Sequence, residues 1–125
     1  MNFSSKLQKA QEKNQSLLCV GLDPDIEKLK QEKLKQGETL FKFNKRIIDQ
    51  TADLVCAYKP NIAFYAAAGV PGINDLKKTI DYIHKNHQDI PVILDAKRGD
   101  IRHSSEMYVK EAFDFFKADA VTVNP

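Results

Sequence analysis

The sequence predicts an α/β fold, the N-terminal half of a (β/α)8 TIM-type barrel, with about four βα units forming a single partial domain over residues 1–125. Three observations predict it. Four short apolar runs alternate with helix-prone segments, an order that calls for parallel strands joined by right-handed crossovers. The first charged residues after the first three runs, Asp23, Lys59 and Asp95, follow one another at intervals of 36 residues, which suits a repeated βα module. No GxGxxG or GxxxxGK[ST] follows any run, which weighs against a dinucleotide-binding sheet or a phosphate-binding loop on an open, doubly wound sheet.

The elements follow in order. Phe3–Asn14 has apolar residues at 3, 7 and 10 behind Ser4 or Ser5 as a cap, a short amphipathic helix that covers one end of the fold. Ser16–Leu22 is an apolar run stopped by Asp-Pro-Asp and has the length of a buried strand. Residues 25–36 are charged and helix-prone, Gly37 interrupts, and Thr39–Thr51 places Leu40, Phe43, Ile47 and Ile48 on one helical face.

Leu54–Tyr58 is the second strand and ends in Lys59-Pro60. Asn61–Ala68 reads as a short helix, Val70–Asn74 as a turn, and Asp75–His87 as a longer helix with Leu76, Ile80 and Ile83 inward. Pro91–Leu94 is the third strand and runs into Asp95. Glu106–Lys117 is a helix with Met107, Val109, Ala112, Phe113 and Phe116 as its apolar positions, and Ala118–Val123 is the fourth strand. A full barrel takes about 250 residues. Four units are half of one, and a terminal strand with no helix over it leaves open edges. The expectation is therefore a portion of a larger enzyme, with a half-barrel closed by dimerisation as the alternative.

Composition narrows the function. The chain is 42% hydrophobic and 29% charged, with a net charge of +2 spread along its length, unlike the concentrated basic face of a nucleic-acid binder. No nucleic-acid partner is expected. The N-terminus lacks the apolar segment of a secretory signal, and no stretch approaches the roughly 18 apolar residues of a membrane span, so a cytoplasmic protein with no membrane partner is expected. Secretion being denied, Arg98-Gly99-Asp100 is not read as an adhesion motif. Cys19 and Cys56 fall in apolar runs without metal-ligand spacing and are expected as buried, reduced thiols. His84 and His87 have spacing that could ligate a metal, but they lie at a polar helix end, where a favourable dipole interaction is the preferred account. No metal site is expected.

In a barrel, the C-terminal strand ends converge on one mouth. Asp23, Lys59, Asp95 with Lys97, and Asn124 each bring a polar group there. Strands commonly end in polar residues because loops are wet, yet four in phase point to a site. On an extended segment Asp95 and Lys97 point to the same side, about 7 Å apart. With Lys59 from the neighbouring strand they make a positive–negative–positive row. A carboxylate between two ammonium groups stays ionised and keeps them protonated, so a lysine can donate a proton where negative charge develops while the carboxylate repels a substrate anion. A purely structural salt-bridge network is the competing account. Asp100, just past Gly99, is expected to cap the helix that starts at Ile101.

The stretch Asp95-Ala-Lys-Arg-Gly-Asp-Ile101 resembles the D-x-K-x-x-D-I signature of the orotidine 5′-phosphate decarboxylase family. Val20–Asp25, Ala57–Phe64 and Ala118–Pro125 are similar to that family's bacterial subgroup in the same order. The resemblance implies a (β/α)8 barrel, usually a homodimer, that converts orotidine 5′-monophosphate to UMP in de novo pyrimidine biosynthesis without metal or organic cofactor. It implies catalytic roles for Lys97, Asp95, Lys59 and Asp100: Lys97 protonates C6, Asp95 faces the departing carboxylate, and Asp100 completes the row from the partner subunit. It implies substrate binding by Asp23, by Lys59 and, through its hydroxyl, by Ser104. Arg102 departs from the small residue or proline usual after the isoleucine. The family's phosphate- and pyrimidine-binding elements lie in later strands, so the 125 residues alone are expected to have little activity. Two alternatives are a metal-dependent sugar-phosphate decarboxylase or synthase on the same scaffold and a non-catalytic nucleotide-binding or dimerisation module.

Overall fold

The computed structural model describes residues 1–32 and 37–125, and its four short strands all run parallel. The chain runs α1 (Phe3–Asn14), β1 (Cys19–Gly21), α2 (Ile26–Gln31), α3 (Leu40–Thr51), β2 (Ala57–Lys59), α4 (Ile62–Ala67), α5 (Gly69–Asn86), β3 (Ile93–Arg98), α6 (Arg102–Val109), a π-helical continuation over Lys110–Phe115, and β4 (Ala120–Val123). Val20 pairs with Tyr58 across β1 and β2, Leu94 with Val121 across β3 and β4, and the bridges Tyr58–Val92 and Asn61–Asp95 join the two pairs. Strand order is therefore sequence order, as in successive units of a barrel. The expected α/β architecture holds.

Alternation divides the side chains between two layers. Leu22, Tyr58, Val92 and Leu94 point outward and pack beneath the helices against Ile48, Leu76, Ile80 and Ile83, the last four at 0% exposure. Ala57 and Ile93 face the other way, where Leu7 and Ala10 of α1 cover the N-terminal ends of the strands. That is the end-covering role expected of α1, although its cap is Asn2, whose Oδ1 accepts the Ser5 N–H, and not Ser4 or Ser5. Asn14 fastens the other end of α1 by donating to the carbonyls of Ala52 and Val55.

Several expectations are corrected. Val70–Asn74 is helix, not turn: α5 begins at Gly69, and Pro71 falls in its first turn, where the missing N–H costs nothing. The break between α4 and α5 is a positive φ of 72° at Gly69. The last helix starts at Arg102, four residues before Glu106. Of its five expected apolar positions only Ala112 and Phe116 are buried, while Met107, Val109 and Phe113 are exposed. Asp25 caps α2 by accepting from Glu27 and Lys28, and the rest of the helix expected over residues 25–36 lies in part outside the described residues. Cys56 is buried but Cys19 is exposed, because β1 is an edge strand with one described neighbour.

The histidines too take partners other than a helix dipole alone. His84 Nε2 lies 3.0 Å from Asp119 Oδ2, and the His87 ring packs edge-on against Tyr82. No described helix is long and apolar enough to cross a membrane.

Candidate active site

The strand ends place charged side chains at one rim. Lys59, the last residue of β2, donates from Nζ to Asp95 Oδ2 at 2.8 Å. Lys97 donates to Asp95 Oδ1 at 2.5 Å. The carboxylate is the interior member of this row, its side chain 8% exposed against 34% for Lys59 and 62% for Lys97. Hydrogen bonds from Lys59, then Lys97, outweigh burial and hold the Asp95 carboxyl down at about 2, so it is ionised throughout the neutral range. Reciprocally, the hydrogen bond to Asp95 pushes the Lys59 ammonium above its ordinary value and keeps it charged.

The row forms as the sequence suggests, but by different local geometry. Asp95 and Lys97 are not successive same-face residues of a regular strand. Lys97 has φ +50°, and the pairing of β3 with β4 jumps from Leu94–Val121 to Arg98–Val123. Four steps on β3 thus match two on β4, a bulge that turns Lys97 back toward the carboxylate.

Asp23 stands at the end of β1, where its Oδ1 accepts the Asn61 N–H at 2.9 Å. Asn61 in turn caps α4 by accepting from Ala63, so a single residue ties Asp23 to a helix start. Beneath it, Tyr65 Oη donates to the Leu22 carbonyl at 2.6 Å and accepts from Asn44, which also donates to Thr79. This buried chain of polar contacts fixes the backbone directly before Asp23.

The remaining candidates lie apart from the row. Asp100 is exposed and its Oδ1 takes the Ile101 N–H at 2.7 Å, one residue before the position of a helix cap, because α6 starts at Arg102. Ser104 is half-buried in the first turn of α6. No hydrogen bond among the described residues joins Asp100 or Ser104 to the row. Arg102 pairs with Glu106 on the solvent side of α6. Asn124 adds no group to the row: its N–H donates to the Arg98 carbonyl, and its side chain packs over Gly99, where an added Cβ would lie 3.2 Å from the Asn124 Cβ. Arg98 makes two bonds to Glu111 in the π-helical continuation, at 3.0 and 2.8 Å, while lying over the ring of Tyr108 in α6.

Sequence reasoning missed Thr122. Its hydroxyl, from the middle of β4, contacts Asp95 Oδ1 at 2.9 Å. The available signal was a lone hydroxyl residue inside the apolar run Ala-Val-Thr-Val.

The chain as a whole has counterparts among known proteins. Residues 16–125 match the model of the orotidine 5′-phosphate decarboxylase / HUMPS family. An orotidine 5′-phosphate decarboxylase of Cellvibrio japonicus is 52% identical over 100% of this chain and 46% of the relative. One from Parabacteroides distasonis is 53% identical over 90% of this chain and 40% of the relative. The structure of the Leishmania donovani OMP decarboxylase superposes with a TM-score of 0.79 at 34% identity, covering 98% of this chain and 44% of that one. The chain thus spans about half the length of the curated relatives it matches. With the family model matched over residues 16–125 and a relative 52% identical across the whole of this chain, the chain belongs to the orotidine 5′-phosphate decarboxylase / HUMPS family.

Proposed function

We propose that this chain carries the proton-donating half of an active site that decarboxylates orotidine 5′-monophosphate to UMP, in the cytoplasm, as a step of pyrimidine biosynthesis. The observation that carries the reading is the Lys59–Asp95–Lys97 row, with its carboxylate ionised and both of its oxygens held by ammonium groups. In this reading the C6–carboxylate bond breaks, its electron pair stays on C6, and CO2 leaves. Lys97 delivers a proton from Nζ to C6 and is reprotonated from solvent. Asp95 faces the substrate carboxylate, and their repulsion is relieved as the negative charge moves from that carboxylate onto C6, nearer the ammonium. Asp23 and Lys59 bind the ribose hydroxyls.

Asp100 and Ser104, which lie apart from the row, serve the site of a second copy in a homodimer. That division is supported by the absence, among the described residues, of any hydrogen bond from either side chain to the row; both sit on the loop and helix start beyond β3. The metal-dependent members of the scaffold are the less favoured reading, because the end of β2 carries an ammonium where an acidic ligand is wanted, and a cation there would be repelled.

The test follows the fall in orotidine 5′-monophosphate absorbance with the 125-residue chain alone and with the chain mixed with the complementary C-terminal half of a full-length relative. Turnover is expected in the mixture, insensitive to chelator and abolished by Lys97→Ala. Chelator-sensitive activity on a sugar phosphate would support the alternative, and tight UMP binding without turnover would support a non-catalytic module.

A further inference from the structure

Among the described residues, Thr122 is the one side chain hydrogen-bonded to the row that neither the motif nor the charge pattern singles out. A threonine hydroxyl has one hydrogen to donate and two lone pairs to accept with. Here all three are used. Thr122 Oγ1 accepts the N–H of Ala96 at 3.1 Å and of Lys97 at 3.0 Å, and lies 2.9 Å from Asp95 Oδ1. With both lone pairs committed to amides, its hydrogen points to the carboxylate, which is ionised and can only accept.

The need for such a group comes from the bulge. Between the Leu94–Val121 and Arg98–Val123 pairs, β3 has two residues more than β4, so the amides of Ala96 and Lys97 lose their ladder partners. At the same place Lys97 takes a φ of +50°, a region that a long side chain occupies only when its surroundings impose it. The Thr122 hydroxyl supplies both missing acceptor contacts from across the strand gap and grips Asp95 with the same atom.

We propose that Thr122 is a positioning residue: its hydroxyl holds the β3 bulge in the left-handed conformation that aims Lys97 at Asp95, so that proton donor and carboxylate are set by one shared oxygen. The assignment of Lys97 as donor to C6 rests on the function proposed above, whereas the positioning itself does not.

The test compares Thr122→Val, which keeps the shape and removes the hydroxyl, with Thr122→Ser, which keeps the hydroxyl, and with Thr122→Ala in case the valine variant folds poorly. In the 125-residue chain, NMR follows the Asp95 carboxyl titration and the hydrogen exchange of the Ala96 and Lys97 amides, with the core amides of Ile80 and Leu94 as a check on folding. Valine or alanine raises the pH at which Asp95 titrates and speeds exchange at Ala96 and Lys97 alone, and serine restores both. In the mixture with the complementary half-barrel, kcat falls on the order of 10²-fold for valine with KM little changed, as expected when a reacting group is misplaced by about an ångström. A valine variant with unaltered Asp95 titration and unaltered exchange overturns the proposal, as does a serine variant that restores neither. If the NMR changes occur while the unsubstituted mixture does not turn over orotidine 5′-monophosphate, positioning stands and the proposed function fails.

Discussion

Lys59 and Asp95, on neighbouring strands and 36 residues apart, meet Nζ to Oδ2 at 2.8 Å. The pair makes the site part of the fold's own stability. Asp95 is held at about 2 in the folded chain against an ordinary value of 3.8, a depressed value, so its contribution is fully present above about pH 4 and disappears as pH falls through 2. The full shift corresponds to about 2 kcal/mol. Solvent around Lys97 and Lys59 reduces this to about 1–2 kcal/mol. Asp95→Asn is expected to lower the unfolding free energy obtained from urea titration at pH 7 by that amount, with the gap from the parent chain closing toward pH 2. A gap of the same size at pH 7 and at pH 2.5 would show that the row adds no charge-dependent stability.

At the opposite end of the strands, Asp119 gathers Lys6 Nζ at 2.8 Å, His84 Nε2 at 3.0 Å and the Val92 N–H at 2.8 Å. Burial alone would raise this carboxyl, but the bonds from His84, Lys6 and Val92 bring it down to about 2. Lys6 belongs to α1, so Asp119→Ala removes a tether between that helix and β4. The expected result is faster hydrogen exchange throughout Phe3–Asn14 and a loss of about 1–3 kcal/mol of stability at pH 7. Unchanged exchange in α1 would mean that Leu7, Ala10 and Asn14 hold it unaided.

Gly72 lies against the carbonyl of Tyr65, where an added Cβ would be 2.0 Å from the oxygen and 2.8 Å from the Ala68 Cβ. Helix propensity favours alanine over glycine by about 1 kcal/mol. Steric contact with backbone opposes it, since α4 and α5 must part to admit the methyl group. Gly72→Ala is therefore expected to destabilise the chain by about 2–4 kcal/mol in thermal or urea unfolding, the net of that gain and a larger overpacking cost. Increased stability would mean that the two helices separate without penalty.

The legible part of the molecule was the part with short-range causes. Apolar runs ended by polar residues located the four described strands to within a few residues. The faces of α3 and α5 followed from spacing alone: Ile48, Leu76, Ile80 and Ile83 are buried as their period requires. The last helix was less legible. Met107 and Phe113 read as core because they recur at helical intervals, yet both are exposed. Proline also misled at residue 71, since its usual role as a breaker does not apply in a first helical turn. The equal face assigned to Asp95 and Lys97 assumed a regular strand that the bulge denies.

By itself the sequence determined the alternation of strand and helix, the parallel order, and the arrival of Asp23, Lys59, Asp95 and Lys97 at strand ends, because each depends on neighbours a few residues away. Tertiary structure decided which oxygen of Asp95 each lysine takes, the left-handed turn at Lys97, the part played by Thr122 and the distance of Asp100 from the row in this chain. These depend on the register between β3 and β4. Register is a contact between residues about 25 positions apart, fixed by packing and by which amides find acceptors, and no local pattern encodes it.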